Sequence, residues 1–215
     1  MRNSPTFARD PNGFTLVELL IYILLLSVAM TTIYSVFISN VRAQRSQENT
    51  MEMVQDLRGT ADVMIREIRM AGYDYTDAGG MGFAHDDGSP GDSYDTDANS
   101  IHFTMDINEN GDHLDSNEDI NYYHDAATNK ILRRVGNPGT RASNVLAEKI
   151  SALSFAYFDA AGNALDLDAT PADIAKIRTV RLIISGETAE IDPMTRKNRT
   201  RTLAVQIKVR NMGLN

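Results

Sequence analysis

The stretch "NGFTLVELLIYILLLSVAMTTIYSVF", Asn12 to Phe37, decides how the rest of this chain is read. From Phe14 to Phe37 it runs 24 residues with Glu18 as its one charge. A helix of that length covers roughly 36 Å, enough to cross a hydrocarbon core of about 30 Å. Ser27, Thr31, Thr32 and Ser35 dilute its second half. A carboxylate at the centre of a bilayer costs roughly 2.5–3.5 kcal/mol on insertion scales, and less toward the edge. Glu18 therefore calls for a partner or for access to water.

Three readings of the segment follow. In the first it is a secretory signal, with Arg2 and Arg9 as the basic region and Ser27–Ala29 as a small-residue cleavage site. Apolar character continues past that point through "MTTIYSVFI", with no turn residue to mark a boundary. In the second it is a plain single-pass anchor, which leaves Glu18 unexplained. In the third, a short leader is removed before the apolar stretch, and the hydrophobic helix stays in the product. Arg2 and Arg9 before the segment, with Arg42 and Arg45 after it, leave orientation open by the positive-inside rule.

The third reading rests on "GFTLVELL", Gly13 to Leu20. It resembles the cleavage and methylation motif of type IV pilins and type II secretion pseudopilins, at Gly13, Phe14, Thr15, Leu16, Glu18 and Leu19. The resemblance implies a leader of residues 1–13, removed by a prepilin peptidase/N-methyltransferase that cuts between Gly13 and Phe14 and methylates the new Phe14 amine. It also offers Glu18 a partner. That amine in one subunit and Glu18 in the next can neutralise each other within a stack of apolar helices, and a buried polar pair of this kind sets register. The competing account leaves Glu18 at the membrane interface, in reach of water. Other partners implied are major and minor pilins or pseudopilins, and inner-membrane lipid before assembly. The implied location is the bacterial inner membrane, single pass with a periplasmic domain, then a pilus or pseudopilus.

Beyond Val41 the helix is expected to continue, because no proline occurs between Pro11 and Pro90. Met51, Val54, Leu57, Ala61, Met64, Ile65 and Ile68 recur at mostly three- and four-residue steps, an amphipathic stripe. Gly59 weakens the run by about 1 kcal/mol relative to Ala. Gly72 in "MAGYDY" is a natural C-cap. One helix of about 55 residues is predicted. Its residues 14–37 would lie in the membrane or filament core, and residues 38–73 form its amphipathic continuation. The run "REIRMAGY", Arg66–Tyr73, resembles the helix end of PilW-type minor pilins, and GspJ-group pseudopilins are similar there.

Charge is distributed very unevenly. Residues 1–73 are net neutral, residues 74–125 hold fourteen Asp/Glu and no Lys or Arg, and residues 126–215 are net +6, giving −8 overall. An acidic total argues against a nucleic-acid-coating protein, and no nucleic-acid partner is expected. The acidic block must be solvated, paired with the basic part, or neutralised by a cation. Within it, "DINENGDHLDSNED", Asp106–Asp119, carries six carboxylates. Asp106, Asn108 and Asn110, followed by Gly111, match the front half of an EF-hand calcium loop, in which alternate oxygens converge on one hard cation. The closing Glu belongs at the twelfth position, which is Asn117; Glu118 arrives one residue late, with Asp115 and Asp119 also available. The candidate metal set is Asp106, Asn108, Asn110, Asp112, Asp115 and Glu118. The alternative is an acidic hairpin joining "IHFTMD" to "INYYHD". His85, His102, His113 and His124 show no tight His-x-x-x-His pair, which speaks against zinc.

Residues 75–99 read as a long loop, and residues 74–215 as a β-rich domain. Its expected strands are "SIHFTMD", "INYYHD", "KILRRV", "KISALSFAYFD", "IRTVRLIISGE" and "TLAVQIKVR". Their alternation fits an antiparallel sheet with a long helix laid across it, an α+β class that the pilin resemblance also implies. The chain has no cysteine, so neither a disulfide nor a Cys-ligated zinc is available. No G-x-S-x-G, H-E-x-x-H or P-loop occurs, and no catalytic residue is assigned. No cofactor is required, with Ca²⁺ the one candidate ligand. The resulting expectation is a minor type IV pilin, PilW-like, acting in assembly, priming or tip formation. The alternatives are a minor pseudopilin, GspJ-like, and an adhesive or DNA-capturing tip pilin.

Overall fold

A computed structural model describes residues 13–84, 95–115, 117–136, 142–167, 170–193 and 195–212. It has one long α-helix and antiparallel sheets, as the periodicities require. Helix α1 spans Leu16–Met70, 55 residues. Thr15 opens it, its hydroxyl accepting the Glu18 N–H at 3.2 Å, so one of the orphan donors of the first turn is satisfied. Gly72 closes it at φ 75°, in the left-handed region, where a Cβ would also meet Met212 Sδ at 2.8 Å. The chain divides into two compact units, Met1–Arg45 and Ser46–Asn215, and α1 contributes residues to both.

In the second unit the strands are β1 (Ser100–Thr104), β2 (Asp119–Asp125), β3 (Lys130–Val135), β4 (Ala142–Glu148), β5 (Ile150–Phe158), β6 (Ala164–Leu165), β7 (Thr179–Glu187) and β8 (Thr200–Lys208). They form two four-stranded sheets, ordered β1-β2-β3-β4 and β6-β5-β7-β8, where the sequence reading has a single sheet. The break falls at Lys149, the one residue between β4 and β5, held at φ 59°. A left-handed residue turns the strand path sharply, so Ile150 leaves the first sheet and pairs with Gly186 in the second. Strand β4 is absent from the sequence reading because "ASNVLAE" lies on an exposed edge and shows no inward face to detect. The 3₁₀ turn Pro171–Lys176 and the two-residue β6 escape it for want of length.

The helix stripe facing the core is Met53, Leu57, Thr60, Ala61, Met64 and Ile68, all buried. This corrects the sequence assignment of Met51, which is 57 % exposed. Met51 and Met53 stand about 200° apart around a helix of 3.6 residues per turn, so only one of them can face inward. Val54 and Ile65 flank the stripe and are partly buried. Against it pack Ile101, Phe103 and Met105 from β1 and its exit, with Ile120, Tyr122, Leu182 and Ile184. Gly186 lets the helix close on β7. A Cβ there would lie 3.0 Å from Leu57 Cδ2, which explains a glycine within β7.

Candidate functional site

The N-terminal motif is built on the start of α1. Gly13 and Phe14 lie ahead of the helix and are exposed, so the bond between them is sterically open. A Cβ at Gly13 would meet nothing within 4 Å, so the chain's own fold makes no demand for glycine there. A requirement for it would come from outside, from an enzyme that must approach the backbone closely. Thr15 and Glu18 stand in the Thr-x-x-Glu spacing of a capping box, and the negative charge of Glu18 in the first turn suits the positive end of the helix dipole. The Glu18 side chain is exposed and carries no ion-pair partner among the described residues.

Residues 14–36 of this segment are exposed and overwhelmingly apolar, from Phe14 through Val36, with Phe37 also 60 % exposed. The helix is long and apolar enough there to cross a membrane. The four serine and threonine hydroxyls of its second half are satisfied internally. Ser27 donates to Leu24 O at 2.7 Å, Thr31 to Ser27 O at 2.8 Å, Thr32 to Val28 O at 3.0 Å and Ser35 to Thr32 O at 2.8 Å. Hydroxyls bonded back to their own helix need no water, which removes the cost of placing them in hydrocarbon. The "SVA" site of the signal-peptide reading lies in mid-helix.

The acidic loop between β1 and β2 shows how the late glutamate is accommodated. Asn117, at the expected closing position itself, adopts φ 69° and turns the chain back. Glu118 is thereby aimed inward, 1 % exposed, and its carboxylate accepts N–H groups of Ile107 (3.0 Å), Asn108 (3.1 Å) and Asp115 (3.3 Å). Asp106 is fully buried and takes the N–H groups of Asn110 (3.1 Å) and Gly111 (3.0 Å). Asn108 and Asn110 use their carbonyls on backbone N–H groups and donate their amides to Asp115 Oδ2 at 2.7 and 2.8 Å.

Of the six residues in the candidate metal set, Asp112, Asp115 and Glu118 are brought together, one oxygen of each within 4.8 Å of the others. Asp106, Asn108 and Asn110 hold the loop's shape instead. An all-oxygen, carboxylate-rich group suits a hard cation such as Ca²⁺. Seating one beside Asp115 requires Asn108 and Asn110 to withdraw their amide donors. Of the histidines, His102 is buried on Asp119 (2.9 Å) and His124 reaches Ile150 O (2.8 Å), while His85 lies outside the described residues.

Two further constellations have no counterpart in the sequence reading. Glu67 of α1 receives Arg133 of β3 in a fork, Nε at 3.0 Å and Nη2 at 2.9 Å, and also the Tyr122 hydroxyl. Burial and the neighbouring Glu67 charge hold the Tyr122 hydroxyl far above the ordinary tyrosine value. Burial alone would lower the Arg133 pKa, but the hydrogen bonds and charge of Glu67 outweigh it and leave it raised. Arg133 also reaches Asn117 Oδ1 at 3.3–3.4 Å, so the loop's turning residue is tied to the helix through one guanidinium. The second constellation centres on Asp192 in the β7–β8 loop. Asp192 is paired with Arg199 and accepts the Ser46 hydroxyl at 3.0 Å. These partners are 66 and 146 residues apart in sequence, which no local pattern encodes.

Residues 9–34 match a family model described as the prokaryotic N-terminal methylation motif. The chain carries a prepilin-type processing signal. No curated protein matches it. The motif supports a type IV pilin-like or pseudopilin protein, and the apolar start of α1 fits a membrane anchor. It implies processing by prepilin peptidase and assembly with other pilins.

Proposed function

We propose that this chain is a minor type IV pilin of the PilW kind, with a structural role in assembly, priming or tip formation of a pilus. The observation that carries the reading is the processing motif at the head of a single 55-residue helix, whose first part is exposed and apolar and whose last part belongs to an α+β core. Cleavage after Gly13 leaves that apolar helix on the product, giving a subunit held first by lipid and then by other apolar helices. Glu18 then pairs with the Phe14 amine of a neighbour. The preference for a minor over a major pilin rests on the resemblance of the helix end Arg66–Tyr73 to PilW-type chains, and a minor pseudopilin stays the runner-up because GspJ-group chains are similar there. Mass spectrometry of the mature N-terminus tests the reading: it expects a chain that begins at N-methylated Phe14. A chain that begins at Met30 or later has lost the helix and refutes it.

The acidic loop adds a ligand to this proposal. The convergence of Asp112, Asp115 and Glu118 favours a bound calcium ion, with Asn108 and Asn110 turning their carbonyls toward it. Isothermal titration of the detergent-solubilised chain expects heat at submillimolar calcium. Absence of heat at millimolar calcium leaves the loop as a connection only.

A further inference from the structure

The globular unit is electrically polar along its helix. Its acidic loop sits where α1 ends: Asp106 N–H donates to Tyr73 O at 2.8 Å, the Tyr73 hydroxyl reaches Glu109, and a Cβ at Gly111 would lie 3.1 Å from Thr76 Oγ1. The β7–β8 loop sits where this unit begins: Ser46 donates to Asp192 and Asn49 donates to Glu190 at 3.3 Å. From Ser46 to Met70 the helix advances roughly 36 Å at about 1.5 Å per residue. The two loops therefore occupy opposite ends of one compact unit.

The ends are complementary. The helix-end pole lies within the stretch 74–125, which contains no Lys or Arg. It exposes Asp77, Glu109 and Asp115, and three large apolar side chains stand among them: Tyr75 (66 % exposed), Ile107 (51 %) and Leu114 (61 %). At the other pole Arg196 and Lys197 are exposed without an ion-pair partner among the described residues, beside Ile191 at 64 %. Asp192 holds that second loop in shape: it accepts the Thr195 N–H with its carboxylate and the Arg196 N–H with its carbonyl, while Arg199 neutralises its charge. The cations left over face outward from a preorganised turn.

We infer that a second copy of this chain docks head to tail on the first, the acidic helix-end pole of one against the Arg196–Lys197 pole of the next. Opposite charges steer the encounter, and Leu114, Ile107 and Ile191 supply apolar contact at its centre. Such a contact uses two different patches, so it is heterologous. Patches at opposite ends of one unit, used head to tail, repeat along the axis. The inference rests on the filament reading for its setting, though it needs neither cleavage nor the assembly machinery to be tested.

The native chain has no cysteine, so introduced thiols report contacts without background. Two preparations of the full chain in detergent with chelator, one Leu114→Cys and one Ile191→Cys, are mixed and oxidised. The expected product is the unlike pair. Its yield falls at least about fivefold between about 0.05 and about 0.5 M salt, because exposed charges are screened over a few ångströms at the higher value. Arg196→Glu with Lys197→Glu, in the Ile191→Cys chain, removes the product. Adding Asp77→Lys with Glu109→Lys to the Leu114→Cys chain restores it. Like-with-like disulfides only, or no disulfide at low salt, overturn the inference. The mature N-terminus stands as a separate readout, so failure here is distinguishable from failure of the filament reading.

Discussion

Helix α1 carries two stretches governed by different solvents. Residues 14–37 are exposed and apolar apart from Glu18 and a few hydroxyls, and the serine and threonine hydroxyls from Ser27 to Ser35 bond back to their own backbone. Residues 46–70 are amphipathic, with one buried stripe on a sheet and charged residues on the other faces. In the first stretch the backbone's hydrogen-bond saturation is what matters, because lipid is as apolar as the side chains. In the second, stability comes from apolar area withdrawn from water. The comparison teaches that helix propensity alone distinguishes neither stretch: what each needs is set by what surrounds it.

The sharpest way to break this comparison is at the two ends. Gly13→Val should abolish the mature product, read as a loss of the shorter band, while thermal melting of the globular unit stays unchanged because nothing lies near a Cβ at that site. A processed Gly13→Val chain would remove the glycine from the recognition argument. Next in size, Ile68→Ala should cost about 2–5 kcal/mol in chemical denaturation of the detergent-solubilised chain, as large-to-small core changes do. The matching change Leu24→Ala should alter that transition by less than about 0.5 kcal/mol. Equal effects from the two would mean that both stretches are packed alike.

A third prediction concerns the polar seam of the amphipathic stretch. Tyr122→Phe removes a hydroxyl that donates to the charged Glu67, and should cost about 1.5–3 kcal/mol. Its pH dependence has a definite sign. The folded pKa of Tyr122 is raised, so the neutral phenol is favoured by folding. Its contribution is fully present below the ordinary tyrosine value of 10.0 and is lost as the pH rises above it. Wild type should therefore lose stability relative to Tyr122→Phe in melts above that pH; parallel curves would contradict the buried phenol. Smallest is Gly59→Ala, which should stabilise the globular unit by about 1 kcal/mol, since no atom lies within 4 Å of the added carbon. No gain would show that Gly59 serves the helix in some way other than space.

Much of the site was legible before any coordinates. The apolar run, the motif around Gly13–Leu20 and Gly72 at the helix end are all local, and short-range patterns suffice for them. The front half of the acidic loop was legible as an alternation of Asp106, Asn108 and Asn110, side chains that hold the loop's shape. The loop was illegible at its back, because whether Glu118 faces inward depends on Asn117 entering the left-handed region, and Arg133, sixteen residues on, holds Asn117 there. Spacing assigns Met51 to the stripe, and the sheet instead chooses the face that carries Met53.

What the chain's own order of residues determined is a long helix with a greasy first half, a methylation motif at its head and an antiparallel β domain behind it. These follow from periodicity and from backbone groups that must be satisfied within a few residues. The tertiary structure alone decided that the strands part into two sheets at Lys149, that Glu67 meets Arg133 and Tyr122, and that the acidic and basic loops stand at opposite ends of one unit. Each of these joins residues distant in sequence. Such a meeting is governed by which faces the whole core buries, and no short window of sequence contains that information.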